Sequence, residues 1–262
     1  MFFHGGNDSR LAGGLLESAA VATGVRLICP ERPGFGRSTY QPGRVILDWS
    51  SDVEQLANRL DLGRFGLVGH SGGGPHALAC AAALPQRITG VATVSSVAPP
   101  PATNRGLHPM FRVVNALMNH PHLYRTVARS QLREMSKHPD RWLGAWAKMQ
   151  PADGAMFHEQ PHIASMVLAE MTEAVRAGPT GLVHEASLYH RDWGFELAAI
   201  QTTTAVWHGA SDRQATPAWG VVRADNIPSA SLTLVEGAGH FSTLVDNAET
   251  ILSEFATLTA GD

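Results

Sequence analysis

Residues 67–79 read LVGHSGGGPHALA, one serine set among four glycines (Gly69, Gly72, Gly73 and Gly74). The run FGLVG before Ser71 has the apolar character of a buried strand, and GGPHALACAAAL after it has a helical pattern. Ser71 therefore falls on an abrupt strand-to-helix turn, and Gly69-His70-Ser71-Gly72-Gly73 matches G-x-S-x-G. In that context the pattern lifts a serine hydroxyl out of the chain as a nucleophile. Glycines on both sides allow the strand and helix to approach where side chains would block them. The plainer alternative is a tight turn that does no chemistry.

Working outward, apolar runs rich in β-branched residues occur at Val25 to Cys29, Ile88 to Val97, Thr203 to Trp207 and Leu232 to Val235, besides Phe65 to Val68. Helical patterns follow most of them. This alternation predicts an α/β fold with a mostly parallel, doubly wound sheet. Ser51 and Glu54 have capping-box spacing ahead of an apolar stripe of Val53, Leu56, Ala57 and Leu60. Ile251, Leu252, Phe255 and Leu258 form a similar stripe at the end.

Between about Pro99 and Trp193 the strand rhythm gives way to helical stretches broken by prolines. The chain thus divides into a first core segment (1–98), an inserted helical cap (99–195) and a second core segment (196–262). Seven of the eight methionines lie between Met110 and Met171. They fill gaps between packed helices, or they line a ligand chamber with adaptable apolar surface.

A serine hydroxyl needs a base in reach, and the base needs a group to orient it. Among 13 histidines, position is the criterion. His240, in VEGAGHFSTL, follows the last strand-like run, and Asp212, in WHGASDRQATP, follows the one before. Each falls in a loop at the C-terminal edge of a parallel sheet, where such loops face one crevice. Asp192, Asp225 and Asp246 are rival acids, Asp192 the most serious. Backbone N–H groups of Gly72 and of Gly6, in the His4-Gly5-Gly6 turn, are candidates for an oxyanion hole, with Asn7 next. His70, His76 and His208 are expected to pack around the site, and Arg37 and Arg213 to lie at the surface. Histidines 108, 120, 122, 138, 158 and 162 lack metal-ligand spacing, so neither a catalytic metal nor a cofactor is expected.

With 20 Lys and Arg against 23 Asp and Glu, the net charge of -3 offers no basic footprint for nucleic acid or an anionic membrane. A small-molecule substrate fits better. Cys29 and Cys80 sit in apolar runs as small buried hydrophobes, no run is long enough to span a membrane, and MFFHGGNDSR lacks a signal-peptide pattern. These features predict a cytoplasmic protein.

HGG at 4–6, ERPGFGRS at 31–38, GHSGG at 69–73, GASD at 209–212 and GAGH at 237–240 together resemble the ordered landmarks of the α/β-hydrolase superfamily. The resemblance spans nearly the whole chain. It implies Ser71 as nucleophile, His240 as general base, Asp212 as its partner and a helical cap over the site. Glu31 stands where the family's loop pattern has Asp. Members normally carry two strands before the HG turn, whereas here only Met1, Phe2 and Phe3 precede His4; either the start is truncated or the N-terminal strands are missing, with Phe2 and Phe3 expected as the stump of an edge strand. An exposed edge invites pairing, so a monomer or a homodimer is expected. The implied activity is serine hydrolysis of a carboxylic ester or related acyl bond. The same triad also serves C–C hydrolysis, thioester cleavage, aminopeptidase action and perhydrolysis, and the scaffold also supports non-catalytic ligand sensors.

Overall fold

Apolar runs in the first and last thirds of the chain pair into one sheet. A computed structural model describes the backbone of residues 1–259 and side chains through Phe255. Its five parallel strands, β1 (Phe2–Phe3), β2 (Phe65–His70), β3 (Ile88–Val94), β4 (Thr204–Gly209) and β5 (Ala230–Val235), stand side by side in sequence order. The middle strands are buried on both faces, which explains their unbroken apolar sequences. Phe2, Val68, Ala92 and Val94 face one hydrophobic cluster, and Phe3, Leu67 and Val91 face another.

Helices α1 (Glu17–Thr23), α2 (Trp49–Arg59) and α3 (Gly73–Ala83) precede a six-helix region between β3 and β4. That region comprises α4 (Pro109–Met118), α5 (Pro121–Lys137), α6 (Pro139–Met149), α7 (Pro151–Glu159), α8 (Pro161–Ala174) and α9 (Thr180–Leu188). Proline opens the first turn of α4 through α8, where its missing N–H costs nothing. The chain closes with α10 (Pro217–Asn226), α11 (Ser242–Asp246) and α12 (Ala248–Thr259). Helix α1 packs on α12, while α2 packs on α3.

Phe2 and Phe3 form the edge strand, both fully buried. Val25–Cys29 is not a strand. It runs along the free side of β1 on one backbone bond, Phe2 N–H to Ile28 O at 2.8 Å, since β1 is too short to offer a ladder. Helix α2 starts before the expected capping box, with Asp48 at its N-cap, and of the expected stripe only Val53 and Ala57 are fully buried. β3 stops at Val94 because Ser95 turns into the left-handed region (φ 46°). Ile251, Leu252 and Phe255 are buried as their spacing implies, while the side chain of Leu258 lies outside the described residues.

Candidate active site

Ser71 follows the last residue of β2 at a φ of 51°, a left-handed conformation that costs a non-glycine residue about 1–3 kcal/mol. The surroundings hold it there. Its N–H donates to Val94 O at 2.9 Å. A Cβ on Gly73 would come within 2.1 Å of Phe3 O, and one on Gly69 within 2.7 Å of Gly73 O, so the glycines are what let α3 pack this close to the strands.

Asp212 and His240 come from the loops after β4 and β5. Both are buried, and Asp212 Oδ2 lies 2.8 Å from His240 Nδ1. Oδ1 of the same carboxylate accepts from Gln214 N–H (2.8 Å) and Ala215 N–H (2.9 Å), which fixes its orientation. Burial disfavours charge on both, but each offsets this for the other. His240 is raised above the ordinary imidazole value, helped by Asp153 and Asp8, and Asp212 is held below the usual carboxylate range. The rival acids are exposed, and Asp192 caps its own turn by accepting from Gly194 N–H at 2.8 Å.

Of the neighbouring histidines, His70 and His208 contact this pair, while His76 contacts Gly72 at the start of α3. The His70 ring lies 4.9 Å from the His240 ring, tilted by 53°, and His70 Nε2 meets His240 O at 3.2 Å. His76 binds Gly72 O and His208 binds Ala215 O, and burial lowers them to about 3 and about 4, so both are neutral. Arg37 and Arg213 are exposed. Among the described residues no group of three or more His, Cys, Asp or Glu is placed to hold a metal ion, and His108 instead accepts from Met110 N–H at the start of α4.

The His4-Gly5-Gly6 turn leaves β1 beside Ser71. Arg32, fully buried, clamps it, donating from Nη1 to His4 O (2.6 Å) and from Nη2 to Gly5 O (2.8 Å). Its Nε pairs with Glu185 of α9 at 2.6 Å, and the other Glu185 oxygen pairs with Arg44. Asp8 pins the turn from the far side by accepting from Gly5 N–H at 2.9 Å. Gly6 and Gly72 converge: a Cβ on Gly72 would lie 2.8 Å from Gly6 N and 2.0 Å from Tyr189 Oη. That phenol is anchored at 2.9 Å from Glu185 Oε1.

Ser71, Gly6, Gly72, Asn7 and His240 all open onto one cavity of about 260 Å³. Its walls come largely from the six-helix region and are apolar, including Phe111, Leu132, Trp142 and Trp146. Trp142 and Trp146 stack at 5.3 Å, and Trp146 in turn packs on Phe241, next to His240. Five methionines line the chamber (Met110, Met118, Met135, Met149 and Met171), so the methionine-rich stretch supplies adaptable wall as well as filler.

A model of the Alpha/beta hydrolase family matches residues 1–253. The chain belongs to this family. Solved structures agree at the level of fold. An esterase from Thermogutta terrifontis superposes with a TM-score of 0.70 at 21% identity, covering 98% of this chain and 89% of that one. For an esterase from Rhodococcus sp. ECU1013 the values are 0.70, 20%, 99% and 89%, and for a bromoperoxidase from Bacillus anthracis 0.68, 22%, 100% and 91%. No curated protein matches the sequence.

Several residues of this α/β hydrolase's site carry no local sequence signal. Arg32 sits inside the ERPGFGRS landmark, yet nothing in the pattern says that its side chain reaches back to residues 4 and 5. Gln150, Asp153, Glu185 and Tyr189 lie in the six-helix region, whose sequence has no strand period to locate them.

Proposed function

We propose that the protein is a serine hydrolase that cleaves a carboxylic ester or related acyl bond of a small, largely apolar substrate through an acyl-enzyme. The observation that carries this reading is the buried 2.8 Å contact between Asp212 and His240, beside a cavity that His240 shares with a conformationally strained serine. The carboxylate holds Nδ1 and leaves Nε2 to take the Ser71 proton as Oγ attacks the carbonyl carbon. The N–H groups of Gly72 and Gly6 hold the oxyanion of the tetrahedral intermediate. Collapse of that intermediate breaks the bond to the leaving group, which takes the proton from His240. Water, activated by the same imidazole, then releases the acyl group and restores Ser71.

The apolar chamber favours uncharged acyl or alcohol groups, and the fold likeness to esterases is consistent with this choice. The test is labelling with a fluorophosphonate probe beside turnover of short p-nitrophenyl esters. Both are expected in the wild type and lost in Ser71→Ala. A folded protein that neither labels nor turns over esters would favour a ligand sensor. A panel of acyl lengths, run beside thioester, amide and C–C substrates, then assigns the bond.

A further inference from the structure

We propose that Gln150 and Asp153, at the joint between α6 and α7, are positioning residues that hold the Asp212 and His240 loops in their working geometry. This rests on the acyl-transfer reading above.

Asp153 is fully buried, and every hydrogen bond it makes goes to the start of the segment that His240 opens. Oδ2 accepts from His240 N–H at 3.0 Å. Oδ1 accepts from the N–H groups of Phe241 and Ser242 and from Ser242 Oγ–H, each at 3.0 Å. Ser242 Oγ accepts in turn from Gly239 N–H at 2.7 Å, so the residues on both sides of His240 are tied to one carboxylate. There is little slack, since a Cβ on Gly239 would fall 2.5 Å from Asp153 Oδ1. A carboxylate suits this place because it only accepts, and four donors converge on it.

Gln150 does the equivalent for the acid. Also fully buried, it places Nε2 at 3.4 Å from Asp212 Oδ1 and accepts Arg213 N–H on Oε1 at 3.0 Å. One stretch of four residues, 150–153, thus grips the two loops that bring the imidazole and carboxylate together. Neither side chain lines the cavity, so neither is placed to touch substrate. The six-helix region therefore does two jobs: its inner faces shape the chamber, and this joint sets the alignment of the groups beneath it.

The experiment measures kcat and KM on a p-nitrophenyl ester, with thermal unfolding as a check, for Asp153→Leu, Asp153→Asn and Gln150→Met. Misplacing a catalytic group by about 1 Å can cost about 100-fold, so Asp153→Leu is expected to lose about 30- to 100-fold in kcat. KM should stay within about threefold, because the substrate contacts are untouched. Asp153→Asn keeps one accepting oxygen and should fall between Leu and the wild type. If kcat stays within about threefold in every folded variant, or if KM rises while kcat holds, the proposal is wrong. Should neither Asp153 variant fold, Gln150→Met decides by the same criterion. Undiminished turnover in Ser71→Ala would instead remove the acyl-transfer reading and this inference with it; labelling at Ser71 combined with unaffected joint variants removes this inference alone.

Discussion

Replacing Arg32 tests how the His4-Gly5-Gly6 turn is held. In Arg32→Leu the buried carbonyl of His4 loses its partner, a loss of about 1–3 kcal/mol for an unsatisfied buried acceptor. Glu185 loses one of its two arginines, and because Arg44 remains, that loss should sit near the lower end of the roughly 3–5 kcal/mol seen when a buried pair is broken. A total of about 4–6 kcal/mol, at about 2–4 °C per kcal/mol in a domain of this size, lowers Tm by roughly 8–24 °C. Arg32→Lys is the sharper variant. Lysine keeps the charge beside Glu185, but a compact ammonium cannot span a carboxylate and two carbonyls as the guanidinium fork does. Its Tm should fall less, while the turn carrying Gly6 loosens. If Gly6 N–H is an oxyanion donor, kcat falls toward the roughly 100- to 1,000-fold typical of a lost donor. The assay pairs calorimetry with ester turnover. Arg32→Lys with reduced Tm and near-normal kcat would refute the link between the clamp and the oxyanion hole.

Two other tests address separate carboxylates. Asp212→Asn should lower kcat by about 10⁴-fold by presenting the wrong imidazole tautomer, while Asp192→Asn leaves it unchanged; the reverse result in ester kinetics would move the acid one strand earlier. Glu170 is fully buried with both carboxylate oxygens unpartnered, and burial raises it well above the ordinary value. Its folded pKa exceeds the unfolded one, so it opposes folding as pH climbs past about 4.5, by about 1.4 kcal/mol per pH unit until the folded value is passed. Glu170→Gln cannot ionise. Its urea midpoint relative to wild type should therefore rise between pH 4 and pH 8, and a pH-independent difference would show that the Glu170 pKa is the same in the folded and unfolded chain.

The parts legible in the sequence were those with a short local cause. Ser71 lies on a turn whose glycines are all within three residues, and Asp212 and His240 each follow an apolar run that becomes a strand. Val25–Cys29 is a comparable apolar run yet forms no ladder, because the strand it runs beside has only two residues. Likewise the Ser51 and Glu54 spacing is genuine, but Trp49 buries against Phe3 and draws the helix start forward. Arg32, Gln150 and Asp153 act on partners 27 to 153 residues away, and no periodicity encodes contacts of that kind.

The prolines that open α4 through α8 make this part of the molecule a train of short rods with a stiff coupling at each junction. Lengthening one rod by a turn adds about 5.4 Å to it without propagating a helical register into the next. The chamber can be reshaped piece by piece at three of those couplings. The one at Gln150 is hydrogen-bonded to the loops that carry Asp212 and His240, and a redesign for bulkier substrates should leave it alone.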